Sequence, residues 1–140
     1  FLPGMLKADK GHIININTVG GLYSAPYQGA YCASKWALLS YTESLAYELE
    51  NTNVSISTLF PGPIDTNFLN HGNYESFKKS SDMVSPKYLA EKVLSVMNKP
   101  TERVFIGPSW KLLAVKVGNF YPQFFRKIFE KKNAPPKRLI

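Results

Sequence analysis

Three short runs rich in β-branched residues, "HIININ" (12–17), "VSISTLF" (54–60) and "RVFIG" (103–107), punctuate the chain, with helix-like stretches between them. A buried strand followed by a helix and another strand pairs with its successor in parallel, through a right-handed crossover. That alternation restricts the fold more than any other feature. Residues 30–49 carry Ala33, Trp36, Ala37, Tyr41, Leu45 and Leu49 at helical spacing, and Asn51 and Asn53 mark the stop. Residues 85–98 begin with Ser85 as N-cap and Pro86 at the first helical position, followed by apolar Leu89, Val93, Val96 and Met97. Residues 3–8 read as the end of a helix and 9–11 as a turn. The expected class is α/β, with three buried parallel strands and flanking helices, where a complete doubly wound sheet has about six.

Two segments lack periodicity. Residues 18–29, "TVGGLYSAPYQG", form a loop rich in Gly, Ser and Pro. Residues 64–85 read as a long loop with at most a short helix, and loops of that length in a compact domain usually carry function.

Charge separates the chain into two parts. Residues 1–109 hold nine Lys/Arg and nine Asp/Glu, whereas residues 110–140 hold eight Lys/Arg and one Glu, so the net +7 belongs to the tail. This argues against the domain as a nucleic-acid binder. The expected organisation is a domain over 1–109 and a basic amphipathic extension over 110–140. A single cysteine, Cys32, excludes an internal disulfide framework and points to a reducing, cytoplasmic setting. No apolar run approaches the roughly 20 residues of a spanning helix. The first residues, "FLPGMLKADKG", show neither a signal peptide nor a starting Met, and a further portion is expected upstream.

The chemistry concentrates in "YCASK" (31–35). On a helix, Tyr31 and Lys35 share a face. A phenol has an ordinary pKa of about 10, and a neighbouring ammonium favours the phenolate. Such a phenol can protonate a carbonyl oxygen or take a proton from an alcohol, and the ammonium can hold sugar hydroxyls. In isolation the spacing is equally that of a surface packing pair. Its context adds Thr18 at the end of the preceding strand, and the "PGPIDT" turn with Thr66 after the next. In open parallel sheets, ligands bind beyond the carboxyl ends of the strands, where all of these would converge.

With "GHIININTVGG", "YCASK" and "LFPGPIDT" in this order and spacing, residues 3–107 resemble the short-chain dehydrogenase/reductase family. The resemblance implies the C-terminal, catalytic part of a Rossmann-like doubly wound sheet. It implies an oxidoreductase that moves a hydride between a nicotinamide cofactor, NAD or NADP, and a carbonyl or alcohol substrate. It puts the acid/base role on Tyr31, and on Lys35 the tuning of that phenol and the nicotinamide ribose. Pro61, Gly62 and the Ile64 backbone would lie against the nicotinamide, with Thr66 bonding its carboxamide or pyrophosphate side. A serine thirteen residues before the tyrosine would orient the carbonyl; here that position is Thr18, whose methyl stiffens the side chain and takes space. The family's glycine-rich loop, Asn-Ala-Gly segment and catalytic-helix asparagine would lie before residue 1. The resemblance also implies a homodimer or homotetramer, with the helix over 30–49 facing a partner subunit.

Other features have two readings. Tyr23, Ser24, Tyr27, Phe68 and Leu69 either line a pocket for an apolar ketone or secondary alcohol, or are ordinary loop packing. His12 and His71 lack a second ligand at metal spacing, so no metal site is expected. Cys32 reads as a packed thiol, and Asp65 and Glu75 form no carboxylate pair. In the tail, Tyr121, Phe124, Phe125 and Ile128 recur at helical spacing beside Arg126, Lys127, Lys131 and Lys132. That helix either touches a membrane surface or packs on its own domain or a sister subunit, with "NAPPKRLI" as a flexible end. The alternative to the enzyme is a non-catalytic fragment, a dimerisation or membrane-surface module.

Overall fold

The computed structural model describes residues 1–24, 28–67, 83–121 and 123. Helix α1 (Leu2–Lys7) leads through a turn into strand β1 (Gly11–Ile16), followed by a 3-10 turn (Val19–Gly21). Helix α2 (Gly29–Glu48), strand β2 (Val54–Pro61), helix α3 (Pro86–Asn98), strand β3 (Arg103–Ile106) and helix α4 (Ser109–Phe120) complete the order.

The three strands form one parallel sheet in the order β1-β2-β3. Register runs from Gly11 opposite Val54 to Ile16 opposite Leu59, and from Thr58 opposite Arg103 to Pro61 opposite Ile106. Successive side chains of β2 point to opposite faces. Val54 and Ile56 pack with Leu45 and Leu49 of α2, and Phe60 with Leu39 of α2, Leu22 and Val115. Leu59 turns the other way, to Val84, Ile106 and Val96 of α3. Helices therefore cover both faces, which makes the domain a partial Rossmann-like sheet. Phe60 stacks on Phe105 with ring centroids 4.9 Å apart.

Only β2 is the buried strand expected of all three. β1 and β3 are half-exposed edges among the described residues, and Ile16 is 48% exposed. The serines of β2 do not mark a wet face: Ser57 is fully buried, its hydroxyl within 2.8 Å of His12 Nε2 and accepting from the Thr101 N–H at 3.4 Å. His12 thus has a structural partner, and burial holds its imidazole below the ordinary value of 6.5. Asp9, with φ of +44°, accepts from the Asn53 backbone N–H and side chain, tying the turn before β1 to the turn before β2.

Two helices correct the expected faces. In α2 the buried residues are Cys32, Leu39, Thr42 and Leu45, whereas Ala33, Trp36, Ala37 and Tyr41 are exposed. The period held and Leu45 and Leu49 of the spaced set are buried, but the other four face outward, because small and aromatic residues score as apolar wherever they point. In α3 the Ser85 hydroxyl accepts from the Tyr88 N–H at 3.1 Å, and Leu89, Val93 and Val96 pack inward, but Met97 is 58% exposed. Helix α4 precedes the amphipathic stretch read in the tail. Tyr121 is its C-cap, and its Val115 is buried in the cluster with Leu22, Leu39 and Phe60. Residues 124–140, with Phe124, Phe125, Arg126, Lys127, Ile128, Lys131 and Lys132, lie outside the described residues, as do His71 and Glu75.

Candidate functional site

β1 ends at Ile16, and the Asn17 N–H still donates to the Leu59 carbonyl at 2.8 Å. Thr18 follows as the extended N-cap of the 3-10 turn, its Oγ1 accepting from the Gly20 N–H at 3.3 Å. Accepting that bond leaves the Thr18 O–H proton to donate elsewhere. The 3-10 turn lies against both α2 and β2, which brings Thr18 to the first turns of α2.

Those turns carry Tyr31 and Lys35. Tyr31 is 42% exposed, and the Lys35 ammonium sits 5.8 Å from the centre of its ring. Gly20 connects them with Thr18. A methyl group on Gly20 would lie 3.4 Å from Cγ2 of Thr18 and 3.4 Å from Cε1 of Tyr31. The threonine and the tyrosine thus flank one bare stretch of backbone. Tyr23 lies close to Tyr31. Its phenol is pushed up by burial and, less strongly, by Cys32 and Tyr31 beside it, and the side chain packs against the Leu22, Leu39, Phe60 and Val115 cluster. Cys32 itself is 2% exposed, as a packed thiol should be.

The second wall of the site follows β2. Pro61 is the last residue of that strand, and Gly62 donates to the Ile106 carbonyl at 2.9 Å. Ile64 forms an isolated parallel bridge with Val84, fixed by Val84 N–H to the Pro63 carbonyl at 2.8 Å and Asp65 N–H to the Val84 carbonyl at 3.0 Å. Thr66 is exposed. Because β1 and β2 are parallel, Thr18 and the 61–66 turn emerge from the same edge of the sheet. Tyr27, Phe68 and Leu69 lie outside the described residues, and Ser24 is exposed.

This edge suits a nicotinamide cofactor. It offers the Lys35 ammonium as a donor for hydroxyls, and a turn at Gly62 where an added Cβ would meet the Ile106 carbonyl at 3.8 Å and Val84 at 3.9 Å, ordinary contact distances. A phenol with an ammonium over its ring and a hydroxyl beside the same glycine can hold a carbonyl oxygen and exchange a proton with it.

Sequence reasoning passed over Asn17. It is 4% exposed, and its side chain bonds to the backbone of both Thr18 and Lys35. The signal was available: a polar residue at the end of a buried strand is costly unless its partners are specified.

The chain as a whole is similar to known proteins. A family model described as short chain dehydrogenase matches residues 1–75. A 3-ketodihydrosphingosine reductase of Bacteroides thetaiotaomicron is 30% identical, over 91% of this chain and 57% of that protein. Human dehydrogenase/reductase SDR family member 7C is 31% identical, over 96% of this chain and 47% of that protein. In fold, the chain resembles a short chain dehydrogenase of Burkholderia cenocepacia solved in complex with NADP. The TM-score is 0.69 at 24% identity, over 97% of this chain and 52% of that one. The chain thus spans about half the length of the curated relatives it matches.

Proposed function

The chain belongs to the short-chain dehydrogenase family, and on that premise we propose that the protein carrying it is an NAD(P)-dependent oxidoreductase of carbonyl and alcohol substrates. The bound nicotinamide supplies or accepts the hydride at the substrate carbon. Tyr31 gives the proton to the carbonyl oxygen during reduction and takes it back during oxidation. The Thr18 hydroxyl donates to the same oxygen and orients it. Lys35, whose ammonium sits over the Tyr31 ring, holds the ribose hydroxyls. Pro61, Gly62, Ile64 and Thr66 form the wall beside the nicotinamide. Hydride at carbon and proton at oxygen together convert ketone to alcohol.

The observation that supports this reading most is the convergence of Thr18 and Tyr31 on Gly20, with Lys35 over the same ring. The substrate class is an apolar ketone or secondary alcohol, held by Tyr23 together with Tyr27 and Phe68. The name of the reductase from Bacteroides thetaiotaomicron, a relative, denotes a keto substrate. In the complete protein, Tyr31→Phe should abolish reduction of a panel of apolar ketones while NAD(P)H binding, followed by cofactor fluorescence, stays intact. Retained turnover would remove the proton role.

A second reading, compatible with the first, concerns α4. Leu113, Val117 and Tyr121 recur every fourth residue and are 63%, 40% and 67% exposed. They lie in the segment that holds eight Lys/Arg and one Glu. An apolar stripe within a basic segment supports peripheral contact with an anionic membrane surface. No helix of the described residues is long and apolar enough to cross a membrane. Replacing Leu113 and Val117 by Ser should reduce sedimentation with phosphatidylserine vesicles and leave binding to neutral vesicles unchanged. Equal sedimentation of the variant and the parent would exclude the contact.

A further inference from the structure

Two asparagines of the β1 segment reach across to α2. Asn15 Nδ2 donates to Thr42 Oγ1 at 2.8 Å, and that hydroxyl donates on to the Leu38 carbonyl at 2.7 Å. Asn17 does something different. Its Nδ2 donates to the Lys35 carbonyl at 3.1 Å, and its Oδ1 accepts from the Thr18 N–H at 2.9 Å. The partners dictate the orientation of the amide, since one is purely an acceptor and the other purely a donor.

Both partners are backbone atoms of residues in the candidate site, and they belong to separate elements, the cap of the 3-10 turn and α2. Gly21 completes the arrangement from the opposite side. A Cβ there would lie 2.8 Å from Asn17 Oδ1 and 3.2 Å from both Cγ and Nδ2, so the carboxamide occupies the room that the glycine leaves. Gly21 is itself buried.

We propose, resting on the roles assigned above to Tyr31 and Thr18, that Asn17 is a positioning residue. Its carboxamide is a strut that fixes the Thr18 hydroxyl against the turn of α2 carrying Tyr31 and Lys35, and Gly21 keeps the strut in place. A small displacement of a reacting group is enough to lose about a hundredfold in rate. The strut therefore acts on turnover rather than on ground-state binding. Asn15 is an internal control, because it joins the same strand to the same helix without touching either site residue.

The test uses the complete protein, with whichever of a panel of apolar ketones it reduces fastest, and measures kcat and the KM for NAD(P)H separately. Asn17→Ala should lower kcat about a hundredfold with the cofactor KM unchanged. Gly21→Ala should reproduce that loss by displacing the carboxamide. The Asn17→Ala, Gly21→Ala double variant should be no worse than Asn17→Ala alone, because sites that share one contact do not add. Asn17→Ser, a shorter hydroxyl that keeps a donor and an acceptor, should recover part of the loss, and it carries the test if Asn17→Ala fails to fold. Asn15→Ala should lower thermal stability and retain kcat. Wild-type kcat in Asn17→Ala, or an equal kcat loss in Asn15→Ala, overturns the proposal. Tyr31→Phe separates the two levels. If it is inactive while Asn17→Ala is unimpaired, only the strut is wrong; if it turns over, the oxidoreductase reading fails and takes the strut with it.

Discussion

Between Ile16 and Val19 four successive side chains have four environments. Ile16 is largely exposed, Asn17 is buried, Thr18 caps a turn, and Val19 packs against the core cluster of Leu22, Leu39, Phe60 and Val115. Thr18, Tyr31 and Lys35 could be selected from sequence because their relation is local: one helical turn, or one strand end and one helix start. Asn17 is marked only by being polar at a strand end; its second partner could not be named from sequence, because it is a backbone carbonyl eighteen positions away. At the other end of the same strand, His12 is a titrating group with a calculable sign. Burial depresses its folded-state pKa below 6.5, so the unfolded chain binds the proton more readily. Stability is therefore complete above 6.5 and falls as pH drops through 6.5 toward the depressed folded value. Urea midpoints taken on either side of that value should differ in the parent protein, and the difference should shrink in His12→Gln.

Helix α3 obeyed its local signals, and helix α2 did not entirely. Ser85, Pro86 and the Leu89–Val93–Val96 spacing are instructions written within one element, and each was realised. Removing the cap with Ser85→Ala should cost about 1 kcal/mol in denaturant unfolding, and Ser85→Asp should restore it. In α2 two stripes compete, one of Cys32, Leu39, Thr42 and Leu45 and one of Ala33, Trp36, Ala37 and Tyr41. Hydrophobicity alone does not separate them, since both contain apolar residues. The sheet selected the first, because Leu39 and Leu45 meet Phe60, Val54 and Ile56 there. Helix α4 is less conspicuous in sequence because, among its described side chains, the one buried in the core cluster is Val115, whereas the aromatic spacing begins where the helix ends.

Across the whole molecule, the stripe of α2 that the sheet left outside bears on assembly. Trp36 is 40% and Tyr41 67% exposed, with Ala33 and Ala37 between them offering close approach. We propose this face as the contact of a homodimer or homotetramer. Trp36→Glu combined with Tyr41→Glu should shift the mass measured by light scattering to that of the protomer; an unchanged mass would place the interface elsewhere. The order of the three strands and of α1 to α3, the parallel sheet and the identity of the phenol–ammonium pair were all readable along the chain. Each of them depends on the spacing of neighbours or on a repeated period. Long-range packing chose the buried face of α2, the half-exposed state of β1 and β3, the place of α4 and the partners of Asn17. Those outcomes depend on which surfaces meet across the sheet, and no window of adjacent residues contains that information.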